Sequence, residues 1–190
     1  MDYKKNYLDI VKTRVKESRY IHTLGVIETA VKLAKIYNVD IDKTRIAASL
    51  HDIAKYIDID KQKEIIHKNF GQEFLDSLVP QVYHGPVAYV IARDELNIDD
   101  QDILNAIMNH TIGRIHMSTL EKIIFVADFS EPNREFKEAK ICLDKAIKSL
   151  DEAVYYALDQ QLRHLESKGY KIAMIEYDVR DYYRRLTNLE

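Results

Sequence analysis

The chain predicts an all-α fold. Two observations carry this: apolar residues recur mostly three and four apart rather than alternating, and glycine and proline are scarce, at five and three in 190 residues. No stretch reads as a strand. Loops between the predicted helices are short, so no linker divides the chain, and one domain over 1–190 is expected, with a core of about 15–135 and C-terminal helices of 136–190 packed on it.

In chain order, helices are expected over 3–17 and 19–37, the second carrying the apolar stripe Leu24, Ile27, Val31 and Ala34. The next runs over 42–56 and contains Ala47-Ala48-Ser49-Leu50-His51-Asp52-Ile53-Ala54, an ionisable pair inside an apolar stretch. Helices over 60–68 and 71–78 follow, then 85–96, with Pro86 at its start, where proline's missing N–H costs nothing. The helix over 100–110 places Ile103, Ala106, Ile107 and His110 on one face, and 118–129 holds the apolar run from Ile123 to Ala127. Helices over 134–147, with Cys142 in buried packing, 151–168 and 179–187 complete the set.

Hydrophobic residues at 46% and charged residues at 31% describe a soluble globular protein. A formal charge of -3 gives no global basic field, so a nucleic-acid polymer is not an expected partner. The longest apolar runs, Val87 to Ala92 and Ala153 to Leu158, are six residues each, too short to span a bilayer, and neither export nor membrane insertion is expected. A lone cysteine agrees with a cytoplasmic location. A homodimer is carried as an expectation.

His22, His51-Asp52, His84, His110 and Asp128 stand in the order His, His-Asp, His, His, Asp. Imidazole and carboxylate bind catalytic first-row metals, whereas closed structural zinc sites draw on several cysteines, and this chain has one. Taken singly, each residue has a bland reading: His110 as a hydrogen-bonded core histidine, Asp128 as a helix cap, His84 as a loop histidine. The pair His51-Asp52 weighs most, because an unpaired buried carboxylate is strongly unfavourable and a metal supplies the opposite charge. Gly25, Gly85 and Gly113 each lie within three positions of one of these histidines. His67 and His164 have no such partner and read as surface or packing residues, while His116 falls near enough to overlook the same cleft.

The adjacent His51-Asp52 and the ordered six resemble the HD-domain superfamily of metal-dependent phosphohydrolases. The flanks Arg19-Tyr20-Ile21-His22-Thr23-Leu24-Gly25, His51-Asp52-Ile53-Ala54-Lys55, His110-Thr111-Ile112-Gly113-Arg114 and Ala127-Asp128-Phe129-Ser130-Glu131-Pro132-Asn133-Arg134 are similar to its bacterial YqeK-type members, symmetrical diadenosine tetraphosphate hydrolases. The likeness spans about residues 5 to 170 and departs at His116, which bears on pocket shape. It implies that His22, His51, Asp52 and Asp128 hold one ion and that Asp52 bridges to a second held by His84 and His110. It implies iron as the metal, with manganese, cobalt or nickel able to substitute, and a dinucleoside polyphosphate or nucleotide as the substrate.

A pair of metal ions lowers the pKa of a bound water and stabilises both oxygens of an in-line displacement, so the expected reaction is attack of a metal-bound hydroxide on an inner phosphorus with loss of ADP. Asp52 and Lys55 are the expected catalytic side chains. Lys55, four positions after His51, projects from the same helical face, and Arg19, three before His22, has the matching geometry. Arg134, Arg114, Thr111 and His84 complete the expected substrate contacts, since guanidinium grips phosphate in a bidentate way. Tyr20, Tyr83 or Phe129 would meet the base. Three other functions fit parts of the pattern. They are a nucleotidase or nucleoside triphosphatase on the same scaffold, a non-catalytic nucleotide sensor, and a two-iron oxygenase. The complete ligand set argues against the sensor, and the basic residues argue against the oxygenase.

Overall fold

The computed structural model describes residues 6–188. Its helices are α1 (Leu8–Arg14), α2 (Glu17–Ile36), α3 (Ile41–Leu50), α4 (Ile59–Phe70), α5 (Gln72–Asp76), α6 (His84–Val90), α7 (Gln101–Asn109), α8 (Thr119–Ser130), α9 (Lys137–Ala146), α10 (Leu150–Ser167) and α11 (Met174–Leu186). A 3-10 turn, Pro80–Val82, precedes α6, and a π turn, Ile91–Glu95, continues it. No strand occurs among the described residues, as the spacing of apolar residues predicts. Positions 3–5 of the first expected helix lie outside the described residues.

Short polar side chains set where the helices start. Asp40, Asp58 and Asp100 accept backbone N–H groups at the starts of α3, α4 and α7. Ser118 and Glu121 form a reciprocal capping box on α8, and Ser149 caps α10. Such caps satisfy N–H groups that the first turn leaves unpaired. Gly71, at φ 88° and ψ 171°, takes a positive-φ extended conformation open to glycine and ends α4.

The centre is α8. Ile123, Ile124, Phe125, Val126 and Ala127 are buried in succession, and a helix apolar all round belongs inside. It packs against α2, α3, α7, α9 and α10, while α6 lies on α7, α4 on α6, and α11 on α10. The terminal helix extends further back than the expected 179–187, starting at Met174, and docks through buried Val179 and Tyr183. Among the described residues no helix is long and apolar enough to cross a membrane.

One expected helix is shorter than its pattern. The stretch 42–56 reads as a single helix, but α3 ends at Leu50 and residues 51–56 form tight turns with bonds from Ile53 N to Leu50 O, Lys55 N to Asp52 O and Ile57 N to Ala54 O. In such three-per-turn geometry, residues i and i+3 eclipse. Lys55 is therefore in register with Asp52, not with His51 as helical spacing predicts. Periodicity could not distinguish the two because His51, Asp52, Ile53 and Ala54 are all buried.

Candidate metal and phosphate site

The six predicted residues come from five elements and meet in the core. His22 lies in the second turn of α2 and Asp128 in the last turn of α8, His84 opens α6, and His51 and His110 sit directly after α3 and α7. The last carbonyls of a helix lack partners within it. His51 and His110 exploit this identically: Nδ1 of His51 meets Ala48 O at 2.7 Å, and Nδ1 of His110 meets Ile107 O at 2.7 Å. Donation from Nδ1 places each ring's lone pair on Nε2 and aims it inward. The third such histidine, His22, uses a carboxylate, with its Nδ1 3.1 Å from Glu131 Oε1.

The Asp52 carboxylate divides the cluster. Its Oδ2 faces His51 Nε2 at 3.4 Å and His22 Nε2 at 3.8 Å, and its Oδ1 faces His84 Nε2 at 3.2 Å and His110 Nε2 at 3.6 Å. Asp128 Oδ1 closes the first group, 3.0 Å from His22 Nε2. Within this enclosure His22 Nε2, His51 Nε2 and Asp52 Oδ1 are buried atoms with no directed hydrogen bond. Buried polar atoms without partners are costly. Neutral imidazole nitrogens and carboxylate oxygens converging on shared points are the donor set a divalent metal takes, so the residues fit one.

The electrostatics agree. Burial alone would raise the Asp52 carboxyl, but the imidazoles of His51, His110 and His84 hold it well below the usual carboxylate range. Asp128 is held low in the same way, against burial, by its bond to His22 and the nearby His51. Burial first, then the neighbouring His110 and Lys55, depress His84 to about 4, so its ring is neutral and able to ligate at physiological pH.

A cavity of about 720 Å³ opens over the cluster, within the range of small-molecule sites. Arg19, Lys55, Thr111 and Arg134 line it together with Asp52, His84, His110 and Asp128. Arg19 NH1 donates to Asp52 Oδ2 at 2.8 Å, and Arg134 NH2 donates to Asp128 Oδ1 at 3.0 Å, so each guanidinium backs one of the two carboxylates. Lys55 Nζ lies 3.1 Å from His84 Nε2, and burial pulls its ammonium toward the neutral form. Thr111 Oγ1 is buried without a partner.

Arg114 does not belong to this group. It grips Glu121 through two bonds of 2.7 Å, from Nε and from NH2, and lines no part of the cavity. Its place in the His110-to-Arg114 stretch suggested phosphate contact, but Glu121 is 1% exposed and needs a charged partner. Tyr20 and Tyr83 are absent from the cavity wall, whereas Phe129 lines it. His116 turns away and meets Tyr182 of α11 through Nδ1 at 2.9 Å. His164, read as surface or packing, is exposed and lines the cavity.

Sequence reasoning missed Glu131. Only 2% exposed, it accepts Asn133 N at 2.7 Å and Asn133 Nδ2 at 2.9 Å on Oε2 while Oε1 meets His22. Gly25 clears its seat, because a Cβ there would overlap the Glu131 carboxylate. The glycine beside His22 was a visible signal; which side chain it admitted was not.

A helical fold that gathers histidines and two aspartates around buried, partnerless donor atoms defines a metal-binding domain of the His-Asp type. The chain belongs to the HD domain family, whose model matches residues 19–133. It is 39% identical over 165 residues to the symmetrical bis(5'-nucleosyl)-tetraphosphatase of Halalkalibacterium halodurans, covering 87% of this chain and 88% of that one. Its similarity to the enzyme of the same description from Staphylococcus aureus is 37% over 177 residues, covering 92% and 91%. Among solved structures, a predicted HD superfamily hydrolase involved in NAD metabolism from Clostridium acetobutylicum matches with a TM-score of 0.89 at 37% identity, covering 98% of both chains.

Proposed function

We propose that the protein is a metal-dependent phosphohydrolase that cleaves diadenosine tetraphosphate symmetrically into two ADP. The observation that carries the reading is the Asp52 carboxylate, whose two oxygens face separate groups of histidines beside a cavity lined by Arg19, Lys55 and Arg134. The substrate comes from the similarity to symmetrical tetraphosphatases over most of both chains. His22, His51, Asp52 and Asp128 hold one ion in this reading, and Asp52, His84 and His110 a second. Bound metal supplies an acidified water and charge stabilisation for phosphoryl transfer. The donor set suits iron, and equally manganese, cobalt or nickel.

The chain's own residues then bind and orient the polyphosphate. Arg19 spends one N–H on Asp52 and keeps the rest of its five-donor fork for phosphate oxygens. Arg134, whose Nε and NH2 are held by Asp128, keeps NH1 for a phosphate oxygen at the edge of the cavity, and Thr111 lines the same space. Lys55 beside His84 offsets charge on the departing ADP oxygen. Water oxygen bonds to one inner phosphorus and loses its protons to solvent, the bond from that phosphorus to the central oxygen bridging the two inner phosphorus atoms breaks, and that oxygen leaves on the second ADP. Such a substrate places the reaction in the cytoplasm, and the helices beyond residue 136 act with the HD core as one unit.

The test is product analysis. Purified protein with its metal content measured is incubated with diadenosine tetraphosphate, and two ADP are expected. ATP plus AMP would contradict symmetrical cleavage, and full activity in His51→Ala or Asp52→Ala would overturn the metal assignment.

A further inference from the structure

The cavity extends past the His/Asp cluster onto a wall the chemistry above leaves unused. Phe129, at the end of α8, and Phe136, just before α9, pack edge to face with ring centroids 5.3 Å apart and planes at 75°. Both line the cavity, and Phe136 is 40% exposed, an aromatic face without a cover. Gln160 and His164 of α10 border the same space. Gln161 is already committed, donating to Thr111 O at 3.1 Å, whereas Gln160 makes only a 3.3 Å bond to the neighbouring Asp159.

We infer that this wall is the subsite for the second nucleoside of the substrate, stacking a purine on Phe136 and reading its edge with the Gln160 amide. This rests on the proposed tetraphosphatase reading, in which four phosphates crossing the cluster leave a nucleoside at each end. An aromatic face stacks on any base, and a glutamine amide presents the adjacent donor and acceptor that match adenine N6 and N7. α10 packs on α8, α9 and α11, whereas the 3-10 turn that carries Gln81 and Val82 of the cavity packs on α6, so the two parts of the wall belong to different helix sets. The subsite thereby makes the enzyme selective for dinucleotides over nucleotides with one base.

The test compares diadenosine tetraphosphate with adenosine 5'-tetraphosphate, which keeps the phosphates and lacks one adenosine. In the wild type the dinucleotide is preferred in kcat/KM. Phe136→Ala is expected to shrink that preference roughly 5- to 150-fold, the range of one base-stacking contact, with the change in KM, and Phe136→Trp is expected to restore it. An equal loss on both substrates overturns the subsite. A second arm does not depend on turnover: equilibrium binding of ADP to the metal-loaded protein is expected to show two ADP per chain in the wild type and one in Phe136→Ala. Two sites without hydrolysis would reject the tetraphosphatase reading and keep the subsite. Hydrolysis with the same ADP stoichiometry in wild type and variant would reject the subsite and keep the reading.

Discussion

Replacing Glu131 with glutamine changes one atom and is expected to cost metal affinity without costing the fold. Glu131 Oε2 accepts two N–H donors from Asn133, at 2.7 and 2.9 Å, while Oε1 meets His22 Nδ1 at 3.1 Å. A glutamine must keep its only oxygen on Asn133, because turning the amide round would set an NH2 group against two donors. Its NH2 then faces His22 Nδ1, which becomes the acceptor, and the ring proton moves to Nε2. That nitrogen faces Asp128 at 3.0 Å and Asp52 at 3.8 Å, and once protonated it has no lone pair for a metal. Losing such a supporting partner costs about 10- to 100-fold in metal affinity, equal to about 1.4–2.7 kcal/mol. Chelator competition with manganese measures the affinity, and thermal melting of metal-free protein measures the fold. In Glu131→Gln only the first should fall. Glu131→Ala, which also strips Asn133 of its acceptor and leaves a hole beside Gly25, should lower both. Affinity within twofold of wild type in Glu131→Gln would refute the tautomer argument.

Other outcomes follow from the same geometry. Gly85→Ala places a Cβ 2.6 Å from Met108 O, so α6 and α7 must separate; overpacking of this kind costs about 1–3 kcal/mol, a fall of roughly 2–10 °C in Tm by calorimetry. Arg114→Ala should leave KM for the substrate as it is and lower stability by about 1–3 kcal/mol in urea titration, a buried-pair penalty discounted because Arg114 is 41% exposed. A rise in KM would return Arg114 to the phosphate site. Glu176 accepts Ala173 N and is raised by burial, the backbone bond opposing only in part. Its contribution to stability is therefore full below the unfolded carboxyl pKa and is lost as pH rises through the higher folded value. Glu176→Gln should remove that decline, read as a flatter Tm-against-pH curve than wild type.

Apolar residues three and four apart, with few glycines and prolines, determined an all-helical chain and the order of its helices, because helical packing repeats locally along the sequence. The six donors were legible for a related reason: an ionisable pair such as His51-Asp52 in an apolar stretch is improbable without an opposite charge. Tertiary structure decided what depends on partners distant in the chain. Glu131 reaches His22 of α2 across more than 100 positions through the space left at Gly25. Arg114 was bound to the buried Glu121, and Lys55 was brought into register with Asp52 by tight turns that a buried stretch conceals. The base-facing wall joins Phe136 to Gln160 only because α9 and α10 pack together on α8. Local pattern encodes which atoms can ligate; the packing of helices far apart in the chain sets which nitrogen of each ring carries the lone pair.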